Sequence, residues 1–219
     1  MTNHRDYDAL LWDMDGTLAD SEPLHLRSLL EVLEHHGVMA GDELHPLTLG
    51  LTGREVHTLC CERFGLTTAF DDWAGFRAQR YLAGAPSLVA RHGALPVWHA
   101  AQRAGLAQAV VSNSSRMLLQ ANLRALGLES PQLVSISAND VRRGKPDPEP
   151  WLRAAWLLQV APERAIVIED SPTGARAALA ANMRVLAWPE GETPVSAFPA
   201  GARIVRSAEE LAACLSLEV

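Results

Sequence analysis

The stretch Ala9-Leu10-Leu11-Trp12-Asp13-Met14-Asp15-Gly16-Thr17-Leu18 runs from apolar residues into two carboxylates one residue apart, then a glycine and a hydroxyl. The apolar run reads as a buried strand and the glycine as the tight turn after it. Neighbours on a strand point to opposite faces. If the strand breaks after Asp13, both aspartates turn into one pocket at its C-terminal end, where open α/β sheets place their ligands. Taken alone, the stretch also reads as a strand closed by an Asx turn. Three later stretches repeat the pattern of an apolar strand followed by polar groups. They are Ala109-Val110-Val111-Ser112-Asn113-Ser114, the loop Arg143-Gly144-Lys145-Pro146-Asp147-Pro148, and Ala165-Ile166-Val167-Ile168-Glu169-Asp170-Ser171.

In chain order these stretches supply an Asp pair, a Ser/Asn, a Lys and an acidic pair. In type, order and approximate spacing the set resembles the four motifs of the haloacid dehalogenase superfamily, specifically its phosphatase and phosphomutase branch, and it spans most of the chain. The chemistry implied is phosphoryl transfer, which needs a nucleophile, charge neutralisation around three oxygens and a proton for the leaving group. Asp13 is the natural nucleophile, forming an aspartyl-phosphate. Lys145 and a bound Mg²⁺ would offset the repulsion between that carboxylate and the phosphate. Mg²⁺ takes about six oxygens, usually several of them water. Asp13 and Asp170 can give side-chain oxygens. The resemblance implies that Asp15 gives its backbone carbonyl, with Glu169 ligating or orienting other groups. The Asp15 side chain is then left as general acid and base. Ser112 and the Asn113 N–H would hold phosphoryl oxygens at a helix N-terminus. Gly16 and Ser114 complete the phosphate-side candidates. Thr17 reads equally as a phosphate contact or a turn cap.

Composition narrows the field. The chain has 219 residues, 48% of them hydrophobic, and a formal net charge of −7 without a basic run. Nucleic acid and acidic membrane surfaces are therefore poor partners. The N-terminus is polar, without the apolar segment of a signal peptide, and no apolar run approaches the ~20 residues of a membrane span. Three cysteines, two of them adjacent (Cys60, Cys61), suggest neither a disulfide framework nor a zinc site. A cytosolic monomer acting on a small phosphorylated metabolite is the expectation. Arginine occurs 18 times and lysine once, at Lys145. An ammonium is a compact point charge and a guanidinium a planar fork, so this position reads as one that tolerates only the former.

The elements around these residues follow from pattern. From about Glu22 to Leu88 the chain reads as all-helical: Leu26, Leu29, Leu30 and Leu33 share a face, Gly37 and Gly65 end helices, and Asp71 or Asp72 caps a helix carrying Trp73 and Phe76. Strand and helix alternate before and after that stretch. Asp147-Pro148 and Ser171-Pro172 each look like an N-cap with Pro at the first helical position. Asn182 stands where this branch usually has Gly, and Asn also tolerates left-handed backbone. Trp151 and Trp156 read as packing residues. The expected fold is α/β, a doubly wound parallel sheet with helices on both faces. Residues 1–19 and 90–219 form the core, and 20–89 an inserted helical cap of the kind the resemblance implies. His25, Gly50 and Arg54 are the polar cap residues of interest. His25 reads first as covering its helix. Arg54 resembles the arginine that grips a distal phosphate in sugar phosphomutases and equally reads as a solvated surface residue. Arg116 faces either substrate or solvent.

Within this chemistry the expectation is hydrolysis of small, sugar-phosphate-like monoesters. A hexose phosphomutase of the beta-phosphoglucomutase type is the alternative, resting on Arg54, Ser114 and Arg116; against it, Ser115 stands where the mutase pattern favours a cation. The dehalogenases attack carbon and need no second Asp, and a phosphonatase needs a cap lysine that this chain lacks. A signalling receiver domain shares the Asp pair, hydroxyl and lysine. Its acceptor, however, lies on a middle strand, it has no helical insertion, and it runs to little more than half this length.

Overall fold

Strand β1 (Ala9–Asp13) is buried along its whole length, as an unbroken apolar run must be when helices cover both faces of a sheet. The computed structural model describes residues 5–41, 43–48, 51–191 and 193–219. These build a six-stranded parallel sheet from β1, β2 (Ala107–Val111), β3 (Val134–Ile136), β4 (Ala165–Glu169), β5 (Arg184–Ala187) and β6 (Ala202–Ile204). The order is β3-β2-β1-β4-β5-β6. The chain winds outward from β1 to one side, then returns to β4 on the other. That reversal opens the crevice at the C-terminal end of β1 where ligands sit in such sheets. Register puts Asp13 beside Val111, and Trp12 beside Ile168, so the polar residues that follow β1, β2 and β4 emerge at one edge.

The chain divides into two compact units, residues up to Asp20 with Val89–Val219, and Ser21–Leu88. In the first unit, alternate strand residues face opposite layers. Leu11, Ala109, Val111 and Val167 pack with Trp151, Ala154 and Ala155 of α7 (Glu149–Leu157) and Ala175 and Ala178 of α8 (Pro172–Ala180). On the other face Trp12 meets Trp98 of α5 (Ala94–Arg103), ring centroids 5.8 Å apart. Gln108 ties them polar to polar, accepting from Trp12 Nε1 at 3.0 Å and donating to the Trp98 carbonyl at 3.2 Å. Helices α6 (Arg116–Ala125) and α9 (Ala208–Cys214) complete the layers.

The second unit holds α1 (Glu22–His35), α2 (Leu44–Thr48), α3 (Gly53–Phe64) and α4 (Phe70–Gly84) around Leu29, Val32, Leu33, Leu44, Val56, Cys60 and Trp73. Thr52 starts α3 with a capping box: its hydroxyl accepts from Glu55 N, and Glu55 accepts from Thr52 N at 2.7 Å. Among the described residues no helix is long and apolar enough to cross a membrane.

Local expectations differ from the structure in three places. Helix α4 begins earlier than its acidic residues suggest: Ala69 is its N-cap, and Asp71 and Asp72 lie in the first turn, where their charge still favours the helix dipole. Helix α7 begins at Glu149, with Pro148 as its N-cap; Asp147 acts from outside, accepting from Glu149 N at 3.0 Å. Trp151 is fully buried, but Trp156 is 74% exposed and packs no core. Asn182 does take the left-handed conformation, with φ +60°.

Candidate active site

At the end of β1 the chain turns sharply: Leu18 and Ala19 both donate to the Met14 carbonyl, and Gly16 N donates to Ala19 O at 2.9 Å. Gly16 has φ +82°, a conformation open to glycine at little strain. Its missing side chain also leaves room for Asp170, whose Oδ2 lies 2.5 Å from where a Cβ would stand. The turn sends the two aspartates to different partners. Asp13 faces Lys145 and the acidic pair at the end of β4, Glu169 and Asp170. Asp15 faces the loop between β2 and α6.

Lys145 is 6% exposed. Its Nζ donates to Asp13 Oδ1 and, at 2.8 Å, to Glu169 Oε1. The Trp151 ring centroid lies 5.2 Å from the ammonium. The Asn113 side chain fixes the lysine's backbone on both sides, accepting from Lys145 N at 2.8 Å and donating to Lys145 O at 3.0 Å. Glu169 is fully buried and uses both oxygens: Oε2 accepts from Ser171 N at 2.6 Å and Ser171 Oγ at 2.7 Å. Gly174 makes this possible, because a Cβ there would overlap the Glu169 carboxyl.

Charge is unbalanced in this pocket. Burial pushes the Asp13 carboxyl up to about 8; Glu169 and Asp15 push the same way and Lys145 opposes them. Burial, then the charges of Glu169 and Asp13, holds Asp170 well above the usual carboxylate range. For Lys145 burial favours the neutral amine, but the attraction of Asp13 and Glu169 outweighs it and keeps the ammonium charged. Asp13, Glu169 and Asp170 thus face a single buried ammonium, and each offers an oxygen within 4.8 Å of the others. A hard divalent cation that prefers oxygen ligands fits this donor set and would offset the excess.

Asp15 is held from the side of β2 and α6. Its Oδ2 accepts from Ser112 Oγ at 2.9 Å and Ser114 Oγ at 3.0 Å, and its Oδ1 from Asn122 Nδ2 at 3.0 Å. Ser112 Oγ also accepts from Ser114 N at 2.9 Å. Thr17 donates to Asp170 Oδ1 at 3.0 Å, so its hydroxyl orients a carboxylate. The structure therefore gathers Asp13, Asp15, Gly16, Thr17, Ser112, Asn113, Ser114, Lys145, Glu169 and Asp170 at one edge of the sheet. Arg116 stands apart from this group. Its guanidinium donates to Ser135 Oγ at 2.7 Å and Ser135 O at 2.8 Å and pairs with Asp140.

In the helical unit, the His25 ring lies 4.5 Å from that of Tyr81, and the Arg54 guanidinium 4.0 Å over Phe70. Gly50 lies outside the described residues. Three residues that sequence reasoning passed over shape the site of the first unit. Asn122 and Gly174 are two of them. The third is Arg91, which donates to the carbonyls of Gly16 at 2.8 Å, Trp188 at 2.7 Å and Pro189 at 2.7 Å and stacks on the Trp188 ring. It straps the turn after β1 to the end of β5. A polar residue between Leu119 and Leu123 and a glycine within an alanine-rich helix were the available signals for the first two.

A buried carboxylate paired with an ammonium, next to carboxylates that suit a cation, is an arrangement that can serve phosphoryl transfer. Comparison with known proteins points the same way. The haloacid dehalogenase-like hydrolase family matches residues 10–188. Validoxylamine A 7'-phosphate phosphatase of Streptomyces hygroscopicus subsp. limoneus is 32% identical over 177 residues, 81% of this chain and 83% of the relative. Hexitol phosphatase A of Escherichia coli (strain K12) is 31% identical over 179 residues, 81% of each chain. The crystal structure of CbbY from Rhodobacter sphaeroides in complex with phosphate superposes with a TM-score of 0.84 at 29% identity, over 94% of this chain and 96% of that one.

Proposed function

The chain belongs to the haloacid dehalogenase-like hydrolase family and is a phosphatase, and we propose that it hydrolyses small, sugar-phosphate-like monoesters through a phosphoryl group carried on Asp13. The observation that carries this reading is the buried pair of Asp13 and Lys145 at the C-terminal end of the central strand. The relatives named as sugar or sugar-like phosphate phosphatases support the substrate class.

In the proposed sequence an Asp13 oxygen attacks phosphorus, the bond from phosphorus to the leaving oxygen breaks, and Asp15 gives that oxygen its proton. Water then attacks the phosphorus and passes a proton to Asp15. The bond to Asp13 breaks, which restores its carboxylate and releases inorganic phosphate. Lys145 and Ser112, with the Asn113 N–H, hold the non-reacting oxygens, and the Asn113 side chain fixes the lysine. Asp13, Asp170, the Asp15 carbonyl and Glu169 would hold Mg²⁺, which when bound neutralises charge on the phosphoryl oxygens. Thr17 and Gly16 serve by letting Asp170 approach and stay oriented. Selection of the leaving group is assigned to the helical unit as a cap, through His25, Gly50 and Arg54. A cytosolic monomer that binds neither membranes nor nucleic acid completes the proposal.

Mutase chemistry would need a second phosphate site on the core, and Arg116, a cation suited to it, is bound to Ser135 and Asp140. A phosphate-release screen over phosphorylated metabolites tests the reading, run beside a hexose 1-phosphate isomerisation assay primed with the bisphosphate. Release of phosphate from sugar phosphates is expected. Fast isomerisation with little free phosphate would overturn the choice of hydrolysis.

A further inference from the structure

Asn122 is fully buried on α6, between the core residues Leu119 and Leu123. A leucine there would continue the apolar face, whereas a buried amide is unfavourable unless it is hydrogen-bonded. Its Nδ2 donates at 3.0 Å to Asp15 Oδ1, while Ser112 and Ser114 take Oδ2. The two oxygens of one carboxylate are thereby distinguished: α6 holds one, and the loop after β2 holds the other. A carboxylate rotates freely about its last torsion unless such contacts fix it, and proton transfer depends on one oxygen facing the reacting atom. Ser112 has a second task in the proposed reaction, at the phosphoryl oxygens. When it turns to them, Oδ2 keeps the Ser114 hydroxyl, and Asn122 remains the fixed point for Oδ1.

We propose that Asn122 is a positioning residue for the reaction, orienting the Asp15 carboxylate from the interior of α6 so that the same oxygen meets the leaving group at each turnover. The proposal rests on the reading of Asp15 as acid and base, and its test separates the two.

The test compares kcat/KM for two probes, phenyl phosphate and 2,4-dinitrophenyl phosphate, in the wild type, Asn122→Leu and Asp15→Asn. The first probe needs a proton on its leaving oxygen; the second leaves as a stable anion. Asn122→Leu keeps the branched shape and lacks the donor, and Asn122→Ala is made beside it because the larger leucine can overpack the helix and truncation cannot. Thermal unfolding of each variant is measured in parallel. We expect both Asn122 variants to lose about tenfold on phenyl phosphate, the effect of one hydrogen bond to a charged group, and to keep near-wild-type values on the dinitrophenyl ester. Equal losses on both esters would mean a structural role, and no loss or a gain on phenyl phosphate would mean that the contact does not position Asp15; each result overturns the proposal. If Asp15→Asn itself fails to discriminate between the esters, the acid–base reading of Asp15 falls instead.

Discussion

Replacing Gly174 with alanine should destabilise the protein, although the same change in most helices does the opposite. Glycine inside a helix is about 1 kcal/mol worse than alanine, so composition alone favours the substitution. At Gly174, however, an added Cβ would lie 2.7 Å from Glu169 Oε2 and closer still to Oε1 and the carboxyl carbon. Glu169 is fully buried, with one oxygen on Lys145 and the other on Ser171. It cannot retreat to solvent, so either α8 shifts or the carboxylate leaves its partners. Breaking a buried charge network costs about 3–5 kcal/mol, and the helical gain returns about 1, leaving a net loss of roughly 2–4 kcal/mol. For a chain of this length that lowers Tm by about 5–15 °C. Gly75 is the internal control: it lies in α4, and a Cβ added there would meet nothing within 4 Å, so Gly75→Ala should gain about 1 kcal/mol. Thermal unfolding of both variants, with phosphatase assays on each, reads the contrast. A Gly174→Ala protein as stable and as active as the Gly75→Ala protein would refute the packing argument.

Other outcomes follow from the same pocket. Lys145→Arg should lower kcat by about tenfold or more, because a guanidinium fork cannot replace a compact ammonium between Asp13 and Glu169; near-normal kinetics would show that the lone lysine has no special role. Activity should disappear in excess chelator and return with Mg²⁺. Asp170→Ala should weaken metal binding, measured by calorimetry, more than it raises KM; full activity in chelator would reject the metal assignment. Asp13→Asn should keep the Tm of a folded protein and lose turnover, and a variant retaining a tenth of wild-type activity would exclude Asp13 as nucleophile.

The sheet was readable because its inner strands are short and apolar on both faces. Ala9–Trp12 and Ala165–Ile168 carry no polar residue, so only a buried parallel strand accommodates them. Each such strand stops at a polar cluster, and parallel strands stop on the same edge. That is why residues as distant in sequence as Asp13, Lys145 and Asp170 could be grouped from the sequence. Directions within the group were not readable. Nothing in the Gly16-Thr17 pair says that the hydroxyl turns to Asp170, because that depends on how closely the ends of β1 and β4 approach. Arg116 sits in the first turn of α6 as expected, yet a serine on β3 and Asp140 capture it, partners that no local pattern connects. Asn122 matters through Asp15, 107 positions away in sequence, and Gly174 through Glu169, which precedes it closely but reaches it only because α8 packs back on the end of β4. Trp156 falls off the helical period of the buried face of α7, which Trp151, Ala154 and Ala155 form, and lies with Leu152 and Arg153 on the exposed side.

The central claim is that the phosphoryl group passes through Asp13. Acid quench of the enzyme during turnover, followed by borohydride reduction and peptide mass analysis, tests it directly, since an acyl phosphate is reduced to the alcohol whereas a free carboxylate is not. Homoserine is expected at position 13, formed only when substrate is present and absent from the Asp13→Asn variant. Reduction at another carboxylate, or turnover of a trapped sample with position 13 intact throughout, would contradict the claim.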